Sequence, residues 1–302
     1  MKLLMTGAFK YTDEQKVNME NLGCEILFHQ MESEPLTSEM FEAEGIVCNG
    51  LFLHNDIDSF PNLKFVQLTS AGLDRVPVEK MLKKGIVLKN ARGVYSVPMA
   101  EFAVSGVLAL YKNIGAFIKN QNSHSWEKNR DVREMAGDTV LIVGCGSVGT
   151  ECATRFKAFG MTILGADIIN PDDDTYDEYY SMDNINQAFE KADVVVLTLP
   201  LTNETMQFID NERFSHFKNG AVLVNIARGA VVNETDMIEN LKNNKLGGAV
   251  LDVFTAEPLD DKSELWDMKN VVITPHNSFV SEKNQKRLFN VVYDNIKEYM
   301  RG

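Results

Sequence analysis

The sequence predicts an α/β protein built on two doubly wound parallel sheets, one in each of two domains. Three observations predict it. Short apolar runs alternate with amphipathic stretches, the pattern of strand–helix–strand units in a parallel sheet. These runs fall into two series, and the second is nearly uniform in Val, Ile and Leu, as strands covered on both faces require. A length of 302 residues lies where single cores stop growing and two domains become the expectation.

In the first series strands are predicted near Leu3–Met5, Ile26–Phe28, Ile46–Cys48, Phe65–Leu68 and Val87–Leu88. Helices are predicted between them near Asp13–Leu22, Ser38–Ala43 and Pro77–Lys84. Thr12 is suited to cap the first of these. Pro77 suits the opening turn of the last, where its missing N–H costs nothing. A long apolar-periodic helix is expected from Val97 to Lys119, followed by a polar segment from Asn120 to Gly137 that carries Trp126. The second series comprises Val140–Val143, Ile163–Ala166, Val194–Leu197, Val222–Asn225, Ala249–Leu251 and Val271–Ile273. A final helix is expected at about Ser281–Tyr299, and no internal repeat is visible.

A content of 44% hydrophobic and 24% charged residues is that of an ordinary soluble globular chain. The net charge of -13 argues against non-specific attraction to nucleic acid or to anionic membrane surfaces. It leaves room for a small anionic substrate, because salt screens a diffuse field within ~10 Å and a local Arg outweighs it. Cys24, Cys48, Cys145 and Cys152 form no C-x-x-C pair and read as reduced thiols of a cytoplasmic protein. The first residues, Met1 to Gly7, look like a strand and not a signal peptide. The longest candidate membrane stretch, Ala100–Leu110, is far short of the ~20 apolar residues a spanning helix needs. No metal is expected.

The strand at Val140–Val143 runs into Gly144-Cys145-Gly146-Ser147-Val148-Gly149, which opens an amphipathic helix. In such a loop Gly144 permits the tight turn, Gly146 admits a pyrophosphate to the backbone, and Gly149 lets helix and strand pack closely. The helix N-terminus offers unpaired N–H groups to the anion. Asp167 ends the next strand, where a carboxylate binds a ribose 2′-hydroxyl and repels a 2′-phosphate. No Arg or Lys lies between Gly165 and Asp177, so NAD is favoured over NADP. Asp167 could also be a plain strand-end acid. Cys145, beside a helix N-terminus, could carry a lowered thiol pKa, although an inert loop residue is the simpler reading.

Three further residues stand just after strands of the second series: Arg228 in Asn225-Ile226-Ala227-Arg228-Gly229, Glu257 in Asp252-Val253-Phe254-Thr255-Ala256-Glu257-Pro258, and His276 in Thr274-Pro275-His276-Asn277. Loops at the carboxyl ends of parallel strands line the ligand crevice, so the three can converge. They are the groups that reduction of a 2-oxo acid needs. A guanidinium forks onto carboxylate and oxo oxygens, an imidazole delivers a proton as hydride arrives, and a carboxylate favours the imidazolium. Singly, each has a duller explanation: a surface cation, a turn acid before Pro258, a satisfied histidine after Pro275.

Over nearly the whole chain these frames and their order resemble the D-isomer-specific 2-hydroxyacid dehydrogenases. The resemblance implies two Rossmann-like domains with a cleft between them. Residues 1–94 and 278–302 would form a flavodoxin-like substrate domain, and 95–277 the NAD-binding domain. It implies NAD-dependent interconversion of a 2-oxo acid and a D-2-hydroxy acid, in a homodimer formed through the long helix and its arm. Arg228, Glu257 and His276 would be catalytic. Gly144, Gly146, Ser147, Val148, Gly149, Asp167, Pro200, Thr205, Ala227 and Asp252 would surround the cofactor, with Asp252 receiving the nicotinamide carboxamide or merely ending a strand. Backbone amides of Ala71 and Gly72 would cradle the substrate carboxylate, and Leu53 and Tyr95 would wall the pocket, Tyr95 alternatively packing at a hinge. Trp126 would meet a partner subunit or pack internally. Asn277 and Ser278 depart from the small apolar residues usual after the histidine, which implies a more polar pocket. Two alternatives share the fold: an NAD(H)-sensing corepressor-like scaffold, and a formate dehydrogenase, whose relatives place Gln where Glu257 stands.

Overall fold

The apolar runs of the first series become five strands: β1 (Lys2–Thr6), β2 (Glu25–His29), β3 (Gly45–Cys48), β4 (Phe65–Leu68) and β5 (Val87–Lys89). They form one sheet in the order β2-β1-β3-β4-β5, parallel at every pairing. The computed structural model describes residues 1–301 and divides the chain into two units. The first unit holds Met1–Tyr95 and the residues from Ser281 onward, and the second holds Ser96–Val280. The boundaries expected at 94/95 and 277/278 thus fall at Tyr95/Ser96 and Val280/Ser281.

In the first unit, α1 (Asp13–Asn21) opens on a capping box in which Thr12 and Gln15 satisfy each other's backbone amides. Pro77 is the N-cap of α2 (Val78–Lys83). The helix expected at Ser38–Ala43 is only a 3-10 turn, Met40–Glu42. Ala43 is already extended there, because the Glu44 amide must pair with the Lys2 carbonyl as β3 begins. The C-terminal helix, Asn284–Arg301, places Leu288, Val292 and Ile296 in a core with Leu3, Met5, Val47 and Phe65. That spacing is one face of a helix. Asn295 Nδ2 also donates to the buried Gln67 Oε1 at 2.7 Å, and the Tyr299 ring lies 4.8 Å from that of Phe65.

The second unit contains β6 (Thr139–Val143), β7 (Thr162–Asp167), β8 (Glu178–Ser181), β9 (Val194–Leu197), β10 (Ala221–Asn225), β11 (Leu246–Leu251) and β12 (Val271–Ile273). Their order is β12-β11-β10-β9-β6-β7-β8, again parallel throughout. Each central strand feeds two cores. Leu141 and Val143 face one with Phe189 and Phe214, while Val140 and Ile142 face the other with Ala103 and Phe156. This two-sided burial is why these strands read as unbroken apolar runs. Strand β8 has no such run, since it lies at the edge and only partly buries Tyr179 and Tyr180. The helices of this unit are α3 (Ser96–Tyr111), α4 (Ile114–Asn122), α5 (Ser147–Ala158), α6 (Ile185–Phe189), α7 (Asn211–His216) and α8 (Glu234–Lys242).

The single helix expected from Val97 to Lys119 is in fact two, α3 and α4, bent by 66°. The break is at Asn113, which takes a left-handed φ of 52° and donates from Nδ2 to the Asp131 carbonyl at 2.8 Å. Asn visits that conformation more readily than most residues, and here a distant carbonyl rewards it. No single helix among the described residues is long and apolar enough to cross a membrane.

Ile296 is fully buried, so Ile296→Ala is expected to destabilise the first unit by about 2–5 kcal/mol. Urea unfolding followed by circular dichroism measures it, and an unchanged curve would mean the C-terminal helix is not part of that core.

Candidate active site

The dinucleotide loop joins β6 to α5. Gly144 has a φ of 100°, which only glycine adopts without strain. A Cβ on Gly149 would lie 2.0 Å from the Gly144 carbonyl oxygen, so strand and helix touch through bare backbone. A Cβ on Gly146, by contrast, would meet no atom within 4 Å. The first turn of α5, which contains Ser147 and Val148, has no side-chain cap, so its N–H groups are available to an anion. Thr198 Oγ1 donates to the Gly144 carbonyl at 2.6 Å and ties the loop to the end of β9. Asp167 ends β7, where Oδ2 accepts from the Cys145 amide and Oδ1 from the Ile168 amide, both at 2.6 Å. A bare cradle, an uncapped helix start and a carboxylate at the end of the next strand fit a dinucleotide. The Cys145 thiol is not activated there, because burial pushes it up to about 11.

Strands β10, β11 and β12 are neighbours in the sheet, and the loops that leave their carboxyl ends carry Arg228, Glu257 and His276 in that order. Glu257 Oε2 lies 2.8 Å from His276 Nδ1, and Oε1 accepts from the Phe254 amide at 3.1 Å. Both side chains keep about a third of their surface, 37% and 36%. The pair is therefore held from behind and open in front. With the carboxylate on Nδ1, the ring presents Nε2 as its working atom.

His276 has a left-handed φ of 51°, a strained state that persists only where the surroundings over-determine it. Asp252, at the end of β11 and fully buried, supplies that determination. Its Oδ1 accepts from Thr274 Oγ1 at 2.6 Å and from the Asn277 amide at 2.7 Å, and its Oδ2 from the Ser278 amide at 2.9 Å. The His276 amide donates to the Asp252 carbonyl at 2.8 Å. Charge-assisted bonds of this kind are short and strong, and three of them fix the turn on both sides of the imidazole.

Arg228 stands on a loop organised by Asn225, itself 1% exposed. Asn225 Oδ1 accepts from the Ala227 amide at 3.1 Å, and Nδ2 donates to the Arg228 carbonyl at 3.1 Å. The guanidinium donates from Nη1 to the Ala227 carbonyl at 2.8 Å. Gly229 follows because nothing larger fits: a Cβ would lie 1.9 Å from the Phe254 carbonyl carbon. The Arg228 loop and the Glu257 loop thus meet backbone to backbone.

A family model described as D-isomer specific 2-hydroxyacid dehydrogenase, NAD binding domain, matches residues 104–278. The chain is 31% identical over its whole length to the D-3-phosphoglycerate dehydrogenase of Methanocaldococcus jannaschii, and spans 58% of that protein. It is 34% identical to the hydroxypyruvate reductase of Thermotoga maritima, over 77% of this chain and 76% of that one. Among solved structures, a D-isomer specific 2-hydroxyacid dehydrogenase family protein from Aeromonas salmonicida superposes with a TM-score of 0.85 at 28% identity, covering 100% of this chain and 96% of the other. The chain belongs to the D-isomer specific 2-hydroxyacid dehydrogenase family. It is accordingly an oxidoreductase that uses NAD. The relatives just named are dehydrogenases and reductases, which disfavours the corepressor-like alternative.

Within this dehydrogenase several of the expected residues also hold the local backbone in place. Asp252, expected either to receive the nicotinamide carboxamide or merely to end a strand, anchors the histidine turn with its buried carboxylate. Thr205 Oγ1 donates to the Pro200 carbonyl at 2.6 Å and accepts from the Thr202 amide at 2.7 Å, so it shapes the loop after β9. Ala227 is 5% exposed and offers its carbonyl to Arg228. Ser278 is buried. Of the two residues after His276 only Asn277 is exposed. The neighbour of the imidazole is Phe279, with ring centroids 5.9 Å apart and planes at 89°.

The remaining candidates belong to the first unit. Leu53 is 61% exposed at the end of a 3-10 turn, Leu51–Leu53, that follows β3. That turn is pinned by Glu32, which accepts from the Asn49 amide at 2.7 Å, the Gly50 amide and Thr6 Oγ1. The Ala71 carbonyl accepts from Asn90 Nδ2 at 2.6 Å, and the Gly72 carbonyl from Ser70 Oγ at 3.0 Å. Tyr95 donates its hydroxyl to the Thr69 carbonyl just past β4. Sequence reasoning missed Glu32, Asn225, Thr274 and Phe279. Only Phe279 left a signal, as a bulky aromatic three residues after the histidine.

Gly229→Ala must push the Arg228 and Glu257 loops apart. A misplacement near 1 Å can cost about 100-fold in rate, so a loss of that order in kcat/KM is expected while NADH binding persists. Steady-state kinetics beside fluorescence titration of NADH test this, and a wild-type rate in the variant would contradict it.

Proposed function

We propose that this dehydrogenase interconverts a 2-oxo acid and a D-2-hydroxy acid, with His276 as acid and base, Glu257 as its partner and Arg228 as the substrate's anchor. The observation that carries the reading is the 2.8 Å contact between Glu257 Oε2 and His276 Nδ1 on an open face. When bound, a reduced nicotinamide supplies the hydride. His276 gives a proton from Nε2 to the oxo oxygen and, in the reverse direction, takes it from the hydroxyl. Glu257 stabilises the imidazolium and fixes the ring's orientation, the part a carboxylate plays behind any catalytic histidine. Arg228 forks onto the carboxylate and the oxo oxygen, and the Ala71 and Gly72 amides are the proposed backbone partners of the same carboxylate. Leu53 and Tyr95 are proposed to flank the substrate. Asp167, with no cation between Gly165 and Asp177, supports NAD over NADP.

We also propose a homodimer. Helix α4 buries none of its residues. Ile114, Phe117 and Ile118, spaced along one helical face, are 43%, 36% and 52% exposed. Trp126 is 96% exposed, so internal packing does not account for it. A second copy covering this face would bury them.

His276→Ala is expected to slow 2-oxo acid reduction by about 100- to 10,000-fold, and Arg228→Ala to cost about 2–5 kcal/mol in kcat/KM. Stopped-flow and steady-state assays with NADH and NADPH measure both. Rates unchanged in both variants would remove the assignment. Phe117→Glu combined with Ile118→Glu is expected to convert a dimer to a monomer by light scattering, and a monomeric wild type would refute the interface.

A further inference from the structure

We propose that Phe279 selects the substrate, favouring a singly charged 2-oxo acid with an aliphatic or aromatic side chain; this rests on His276 being the acid and base. The Phe279 ring stands edge to face with the imidazole, centroids 5.9 Å apart and planes at 89°. It is 38% exposed, and Val280 beside it is 54% exposed. A single exposed apolar side chain needs no explanation, but this one is aimed. The Ser278 amide is bound to the buried Asp252 carboxylate at 2.9 Å, and the Val280 amide closes a turn onto the Asn277 carbonyl at 3.0 Å. The backbone on both sides of Phe279 is therefore fixed, and the ring lies against the group that transfers the proton.

Charge supports the same choice. The loops 144–149, 199–205, 225–230, 252–258 and 274–280 contain no Lys, and Arg228 is their only Arg. Carboxylates crowd the same edge: Glu257 holds the imidazole, and Glu234 accepts from the Thr255 amide at 3.2 Å. Arg228 answers one carboxylate. On these loops a phosphate or a second carboxylate of the substrate would find no cation besides Arg228 and would face Glu257 instead. A hydroxymethyl group would likewise meet an aromatic ring that offers no lone pair. An alkyl or aryl group would be desolvated favourably there.

The test is an NADH-oxidation panel of glyoxylate, hydroxypyruvate, oxaloacetate, 2-oxobutyrate, 2-oxoisocaproate and phenylpyruvate, with wild type, Phe279→Ser, Phe279→Leu and His276→Ala. One methylene in an apolar pocket is worth about tenfold or more. In wild type, kcat/KM is expected to rise at least about tenfold from glyoxylate to the best apolar substrate. That ratio should fall about tenfold in Phe279→Ser and be largely kept in Phe279→Leu. A wild-type preference for hydroxypyruvate or oxaloacetate overturns the proposal, as does a Phe279→Ser variant that slows every substrate equally. Should Phe279→Ser fail to fold, the wild-type order and Phe279→Leu still decide. His276→Ala separates the two readings: full activity in that variant removes the acid and base assignment itself, whereas its loss beside an inverted substrate order removes only the role of Phe279.

Discussion

The arrangement around His276 depends on one buried anion, the carboxylate of Asp252. Removing such a group from water carries a penalty of several kcal/mol, and a left-handed histidine adds about 1–3 kcal/mol. Three hydrogen bonds to a charged acceptor, at about 1.5–3 kcal/mol each, are enough to offset both. Thr274 on one side and the Asn277 and Ser278 amides on the other converge on Asp252. They hold the backbone on both sides of His276, whose ring meets Glu257 Oε2 at 2.8 Å, and Phe279 follows on the same turn.

Parallel pairing explains why residues so far apart in sequence share one edge. In a parallel sheet every strand delivers its chain to the same side, and every connection must return across a face. Arg228, Glu257 and His276 leave the three adjacent strands β10, β11 and β12, while the glycine loop and Asp167 leave β6 and β7. The reversal in strand order between β9 and β6 separates these two groups of loops, which is where such sheets bind ligands. Close backbone approach then sets the finer spacing. Gly149 against Gly144, and Gly229 against Phe254, are contacts at which a single added carbon would not fit.

Much of the site was legible because its parts are local. The glycine spacing, the following strand and Asp167 form one continuous strand–turn–helix–strand stretch, and a short-range pattern states all of it. Arg228, Glu257 and His276 each stand in a frame of a few residues. Buried strands were legible for the same reason, since β6, β9 and β10 show two-sided burial as unbroken apolar runs. The break at Asn113 was not legible, because the carbonyl that rewards its left-handed turn belongs to Asp131. The bonds that Asp252 accepts were not legible for a similar reason, their donors lying beyond a whole strand. Burial also decided between the two readings of Cys145 in favour of the inert one, its thiol being pushed up by desolvation and not down by the helix.

The chain's own order of residues determined its class: two parallel sheets, a dinucleotide loop, and a cation, a carboxylate and an imidazole after successive strands. Periodicity and turn chemistry act over a few residues, so one dimension suffices to display them. Tertiary structure alone decided which carboxylate holds the imidazole and which holds its backbone, and that an aromatic ring stands beside it. Those outcomes depend on which side chains lose water together and which amides find an acceptor across the sheet, and neither is expressed by neighbours in sequence.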